Sequence, residues 1–227
     1  MSATEKSLIL PAITHSLPPS LKAISEGKLQ WFPQLGVGFC GVTEAHIYDA
    51  AYFHNYVVRD ATPTGAALTA GRVNYVRSVL GHVPSNLVDI GIGGGRFVTE
   101  GKCLGYDINP DGIAWLKLHD RWFDPYLSPF QDATFWDALE HIPDPGPLLG
   151  NIRGTAFVSC PIYKDMAHVL RSKHFKPGEH IHYWTSEGLI DLMDWYGFDC
   201  VSVSSFEQHC GREDIGSFAF TRRKCGK

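Results

Sequence analysis

The chemistry of this chain concentrates in nine consecutive residues, Asp89-Ile90-Gly91-Ile92-Gly93-Gly94-Gly95-Arg96-Phe97. Glycines directly after an apolar strand let the backbone turn tightly and approach a ligand with its N–H groups exposed. Eighteen residues past Asp89 lies Asp107, inside a second apolar run from Cys103 to Ile108. In a doubly wound sheet both acids fall at carboxyl ends of adjacent strands, where ligands bind, and a carboxylate there accepts two hydrogen bonds from a ribose diol. Together they describe a nucleoside site. A dinucleotide fingerprint requires G-x-G-x-x-G/A, but the frame from Gly91 ends at Arg96 and the frame from Gly93 ends at Val98, so neither completes.

A second constellation is Phe135-Trp136-Asp137-Ala138-Leu139-Glu140-His141-Ile142-Pro143-Asp144-Pro145. His141 follows a strand and has an ordinary pKa near 6.5, which suits a general base. Asp137, Glu140 and His141 also combine carboxylate with imidazole, a set suited to a divalent cation, although the residues alone assign no metal. A third reading has Glu140 and His141 satisfying backbone groups at the sheet edge. All three stay open here. His180 and His182 alternate, so on an extended segment both face one way, toward an acceptor pocket or as loop histidines bonded locally. Tyr48, Tyr52, Phe53 and Tyr56 recur at helical spacing as a lid or as packing. Lys164, Arg171, Lys173, His174 and Lys176 form a basic patch that reads best as solvated loop.

These residues need a scaffold. Asn109-Pro110-Asp111 is a helix start, with Asn as cap, Pro at the first position and Asp at the positive end of the dipole. Runs at Leu87–Ile90, Cys103–Ile108, Ala133–Trp136 and Thr155–Cys160 read as strands separated by helices. Leu189, Leu192, Met193 and Tyr196 mark a late helix opened by Thr185 and stopped by Gly197. Phe198–Ser204 and Ser217–Thr221 are too close for a crossover and should pair antiparallel. The alternation predicts an α/β sandwich with a mostly parallel sheet and an antiparallel edge. Residues up to about 35 read as an arm, and helices from His46 to Asp60 and after Thr64 preface the sheet, giving an arm and helical cap over 1–82 and a ligand-binding domain over 83–227.

At 227 residues the chain can bury a core without disulfides or structural metal. Twenty basic against 24 acidic residues leave a net charge of −4, so no nucleic-acid partner is expected. Six cysteines without a C-x-x-C pair argue for a reducing, cytoplasmic setting, and the first residues show neither a basic n-region nor an apolar span, so no membrane is expected.

Asp-x-Gly-x-Gly-x-Gly from Asp89 resembles the first motif of class I S-adenosylmethionine-dependent methyltransferases, and Gly105-Tyr106-Asp107-Ile108 resembles the second. Phe135 to Pro145 is similar to the fourth-strand motif of the small-molecule branch that includes ubiquinone-biosynthesis O-methyltransferases, as is His180-Ile181-His182-Tyr183-Trp184-Thr185. The resemblance spans about residues 46–221 and implies a Rossmann-like, seven-stranded, doubly wound sheet. It implies S-adenosyl-L-methionine as cofactor and methyl transfer to oxygen or nitrogen of a small-molecule acceptor. A noncatalytic module that binds or senses the cofactor is the alternative. The cofactor would meet Asp89, Gly91, Gly93, Gly95, Asp107, Ile108, Trp136 and Asp137, with its methionyl carboxylate on the glycine backbone and first-turn N–H groups and its ribose on Asp107. Asp124 is a weaker candidate for the adenine edge, and His141 with Glu140 are the catalytic candidates. In the ubiquinone branch a Glu-x-x-Glu-His element can hold a divalent metal, and Asp137-x-x-Glu140-His141 is close to it.

Overall fold

The computed structural model describes residues 29–41 and 48–224. The arm before residue 29 and the expected helix start at His46 lie outside the described residues. Two sheets form. The larger has six strands in the order β4-β3-β5-β6-β9-β8: β3 (Val88–Ile90), β4 (Leu104–Tyr106), β5 (Ala133–Trp136), β6 (Thr155–Pro161), β8 (Phe198–Ser204) and β9 (Ile215–Arg222). The first four are parallel, β9 runs antiparallel to β6, and β8 antiparallel to β9.

The expected seventh strand is reduced to a single parallel bridge between Gly105 and Trp122. Gly105 N–H donates to Arg121 O at 2.8 Å and Phe123 N–H to Gly105 O at 3.0 Å, but Pro125 follows and has no N–H to extend the ladder. The smaller sheet joins β1 (Leu29–Phe32), β2 (Val37–Cys40) and β7 (His182–Trp184), all antiparallel. Part of the expected arm is therefore a hairpin sharing a sheet with residues far downstream.

Helices cover both faces of the larger sheet. On one, α2 (Pro63–Leu80), α3 (Arg96–Gly101) and α4 (Pro110–Leu118) bury Val73, Val76, Phe97, Val98 and Leu116 against Phe157 and Trp136. On the other, α5 (Gly146–Asn151) and α7 (Ser186–Trp195) bury Leu148, Leu149, Leu189 and Met193 against Phe135 and Val158. Phe157 and Val158 face opposite ways, as the two-residue period of a strand requires, and all seven residues of β6 are buried, as a central parallel strand should be. Each such aliphatic or aromatic side chain contributes about 1.5–3 kcal/mol on burial. The helix starts follow local chemistry: Thr62, Asn109 and Thr185 accept N–H bonds from Gly65, Asp111 and Gly188 at 3.0, 2.9 and 3.0 Å. One further helix, α1 (Ala50–Asp60), has no buried residue. Among the described residues no helix is long and apolar enough to cross a membrane.

Candidate active site

At the carboxyl ends of β3, β4 and β5 lies a cavity of about 810 Å³, roofed by α1 and the start of α2. Its wall contains Asp89, Gly91, Gly93, Asp107, Ile108, Trp136, Asp137 and His141. Of the remaining candidates, Gly95 and Glu140 stand outside the wall. Gly95 is required for packing: a Cβ there would lie 2.8 Å from the Trp115 ring, and its φ is +82°.

β3 ends at Ile90, and the loop then turns through Gly91 and Gly93 with φ of +77° and +56°. The loop and the second acid are tied together directly. Ile92 N–H donates to Asp107 Oδ2 at 2.9 Å, and Asn109 N–H donates to Asp107 Oδ1 at 2.8 Å. Burial raises the Asp107 carboxyl above its ordinary pKa while these N–H bonds oppose the rise. Each oxygen keeps lone-pair capacity for a ligand diol. Asp89 is deeper. Burial pushes it up to about 7, against the opposing bond from Thr134 Oγ1 to Asp89 Oδ1 at 2.6 Å. Ile108, 60% exposed, and Tyr126 line the outer part of the cavity. Asp124 does not reach it; its Oδ1 accepts from Tyr126 N–H at 2.9 Å.

One N–H of the first turn of α3 meets an acid of this chain. Arg96 N–H donates to Asp60 Oδ2 at 3.4 Å, and the Arg96 guanidinium donates to Asp60 O. Gly91 and Gly95 N–H groups donate to Tyr106 O and Ile92 O. An acid of this chain thus sits near the positive end of that turn and engages its Arg96 N–H.

Asp137, at φ +56° in the left-handed region, leaves β5 into a network that the sequence did not announce. Its Oδ2 accepts from Arg72 at 3.2 Å and its Oδ1 from Arg212 at 2.8 Å; both arginines also hold Glu207, whose side chain is wholly buried. Burial works to raise the Asp137 carboxyl, but Arg212 and Arg72 hold it well below the usual range. Arg72 lies 5.1 Å from the Trp136 ring, and the Trp136 indole N–H, buried in the cavity wall, has no hydrogen-bond partner among the described residues.

The other end of the cavity is formed by the turn after β5 and the segment entering β7. His141 presents one ring face to the cavity while its Nδ1 lies 2.8 Å from Glu179 O. Burial lowers the His141 pKa, the Glu179 bond opposing it. Both alternating histidines meet this turn: His180 packs edge-on to His141 with centroids 4.7 Å apart, and His182 Nε2 lies 3.0 Å from Ile142 O. The tyrosine stripe reaches the same cavity from α1 and, for Tyr48, from just before it, with Tyr48–Tyr52 and Tyr52–Tyr56 centroids each 5.0 Å apart. The basic patch is partly neutralised, Lys173 by Glu213 and Lys176 by Glu179. Among the described residues five cysteines are free.

This arrangement is that of a methyltransferase. The family model described as a methyltransferase domain matches residues 75–203, more than half of the chain, and the chain belongs to that family. No curated protein matches it by sequence. Among solved structures it resembles the 1,6-didemethyltoxoflavin-N1-methyltransferase of Burkholderia thailandensis, solved with 1,6-didemethyltoxoflavin and S-adenosylhomocysteine, at 15% identity and TM-score 0.54 over 77% of this chain and 85% of that one. A SAM-dependent methyltransferase from Thermotoga maritima gives 17% and 0.54 over 75% and 97%, and the magnesium protoporphyrin IX methyltransferase of Synechocystis PCC 6803, with S-adenosylhomocysteine, 14% and 0.51 over 74% and 88%. At these identities the likeness establishes the Rossmann-like fold.

Proposed function

We propose that this enzyme transfers the methyl group of S-adenosylmethionine to oxygen or nitrogen of a small molecule. One observation carries the reading: Asp107 is fixed by a backbone N–H of the glycine loop at the mouth of an open cavity, so diol acceptor and loop are preassembled. The solved relatives that carry S-adenosylhomocysteine, and whose names give small-molecule acceptors, support it. When bound, the cofactor supplies a methyl group on a positively charged sulfur.

The residues then divide by position. Asp107 takes the ribose hydroxyls, Ile108 and Tyr126 flank the base, and Gly91 and Gly93 allow close backbone approach. Asp89 stands toward the amino group, and Arg72 with the Trp136 indole N–H receives the carboxylate. The described part of the expected cap, α1 and α2, excludes water from domain 83–227. Aligning nucleophile, methyl and sulfur under such a cap is worth about 7–11 kcal/mol. The acceptor lies between the tyrosine stripe and the turn bearing Glu140 and His141. These two are the catalytic pair that deals with its proton, a task worth about 10²–10⁴-fold.

The decisive measurement is a melting curve with S-adenosylhomocysteine, which should raise the melting temperature by mass action. An unchanged curve at millimolar ligand ends the reading. Incubation with labelled S-adenosylmethionine and a cell extract should then label a small molecule; label transferred only to nucleic acid or protein would refute the acceptor class.

A further inference from the structure

Three tyrosines meet the cavity in one stripe, and two of them make a corner. The Tyr48 and Tyr52 rings lie at 85° with centroids 5.0 Å apart, so their planes form adjoining walls at the acceptor end. A tyrosine ring is negative on its faces and positive at its edge, and such walls attract a cation placed against them. The last ring of the stripe already holds one: the Arg59 guanidinium stands 5.1 Å from the Tyr56 centroid.

A carboxylate joins this corner. Glu179 borders the cavity at the same end, where its carbonyl accepts from His141 Nδ1 at 2.8 Å and leaves His141 Nε2 with its lone pair. Burial first and the Glu179 charge next raise the Tyr48 hydroxyl to about 12; burial and Tyr56 raise Tyr52, with Glu179 adding to them. The carboxylate therefore stands near both rings. Its Oε1 accepts from Lys176, a lysine 44% exposed, at 3.2 Å, and Oε2 has no hydrogen bond among the described residues. Among the described residues no lysine borders the cavity, and of its three arginines Arg72 and Arg212 are committed to Asp137 and Glu207 while Arg59 lies on Tyr56. Ile142, Pro143 and Ile181 supply apolar wall at this end.

We propose that Tyr48, Tyr52 and Glu179 form a recognition corner for the ammonium of a small amine carried on an apolar or aromatic body, so that methylation falls on nitrogen. The proposal deepens the methyltransferase reading and rests on it. A hydroxyl acceptor would leave the Glu179 charge unanswered in the cavity, and an anionic acceptor would be repelled by it. Bound as ammonium, the acceptor gives one proton to His141 Nε2. Its nitrogen lone pair then forms the bond to the methyl carbon as the carbon–sulfur bond breaks, that electron pair staying on sulfur.

The test uses the full chain and three probes that share one ring: 2-phenylethylamine, 2-phenylethanol and phenylacetate, titrated by calorimetry with and without saturating S-adenosylhomocysteine. The amine should bind about tenfold tighter than the alcohol, and the acid weakest of the three. Tyr48→Leu and Tyr52→Leu should each weaken the amine by about 2–30-fold and the alcohol by less, while Tyr52→Phe, which keeps the ring face, should hold the amine within about twofold. Glu179→Gln should weaken the amine by about tenfold and leave the alcohol unchanged. Because α1 has no buried residue, replacement at Tyr52 spares the core. The S-adenosylhomocysteine melting shift, measured on every variant, reports folding and cofactor binding separately from the probes. Equal affinity for amine and alcohol, a preference for phenylacetate, or no heat from any probe at millimolar concentration overturns the amine corner, and a normal melting shift then leaves the methyltransferase reading standing. An amine preference that survives both Tyr52→Leu and Glu179→Gln overturns the residue assignment. An amine preference with no melting shift overturns the cofactor reading alone.

Discussion

The two ends of the cavity are built on opposite principles. At the glycine loop the polar groups are already spoken for: Asp107 holds two N–H groups, Asp89 holds Thr134, and Asp60 covers the start of α3. At the turn after β5, buried groups of Glu140 and His180 have no hydrogen-bond partner among the described residues. A site satisfied in the empty protein holds its shape before the ligand arrives, whereas an unsatisfied site stores a cost that its occupant relieves. The Arg72–Asp137–Arg212–Glu207 network borders the same cavity through Arg72, Asp137 and Arg212.

Breaking that network should give the largest effect. Glu207→Ala removes a wholly buried carboxylate from two arginines and leaves both sharing Asp137. Loss of one partner from a buried ionic network costs about 3–5 kcal/mol. Urea unfolding should show this as a lower midpoint at unchanged slope; a loss below about 1 kcal/mol would mean the network is solvated.

Next in size is Asp107→Ala. It removes the group placed for the ribose, and hydrogen bonds to a charged partner contribute about 1.5–3 kcal/mol each. S-adenosylhomocysteine affinity by calorimetry should fall by about 10²-fold. Gly95→Ala sharpens the contrast: its Cβ would press on Trp115 at positive φ, so stability should fall by about 1–3 kcal/mol while the folded fraction binds the ligand nearly as before. Equal losses of affinity in the two variants would merge functions that the structure keeps apart.

The same contrast explains what could be read from the residues alone. The cofactor end is written contiguously: a strand, glycines whose backbone dihedrals few other residues adopt, and an acid one strand later. The acceptor end and the arginine network are both assembled across the chain. Arg72 and Glu207 are 135 positions apart, and nothing in either local pattern marks a partner. His180 could be noticed but not placed, because its meeting with Glu140 depends on β7 joining a hairpin. That hairpin was itself missed: Leu29–Cys40 mixes Pro33 with two glycines, Gly36 and Gly38, and its strands are four residues each. The seventh strand failed for the converse reason, since Trp122-Phe123 has strand residues but Pro125 ends the pairing. The helix starts at Asn109 and Thr185 were legible, because each cap acts on a group three or fewer residues away; the Thr62 cap was not read, and its helix, expected after Thr64, begins at Pro63.

A smaller effect should appear with pH. The folded Asp89 pKa is raised to about 7, so the empty protein favours its neutral form. The stability this contributes is present below the unfolded pKa near 3.9 and is lost as pH rises through 7. An ammonium placed beside Asp89 favours the carboxylate, so binding releases a proton. S-adenosylhomocysteine affinity should therefore climb between pH 6 and 7 by up to about tenfold and level off above 8. Asp89→Asn should flatten that dependence; a slope that survives it assigns the proton to another group.

The finest test concerns the single bond from Thr134 Oγ1 to Asp89 Oδ1. That bond favours the charged carboxylate and opposes the effect of burial. In Thr134→Val the side chain keeps its shape but donates nothing, so the carboxyl should titrate later and the affinity midpoint should move alkaline by about one pH unit. At pH 7 the cost is only several-fold, and at pH 9 wild type and variant should converge. Thr134→Ser, which retains the hydroxyl, should keep the midpoint. If Thr134→Val instead lowers affinity equally at every pH, the residue acts on packing, and the cofactor end owes its readiness to Asp107 and the glycine turn without a tuned Asp89.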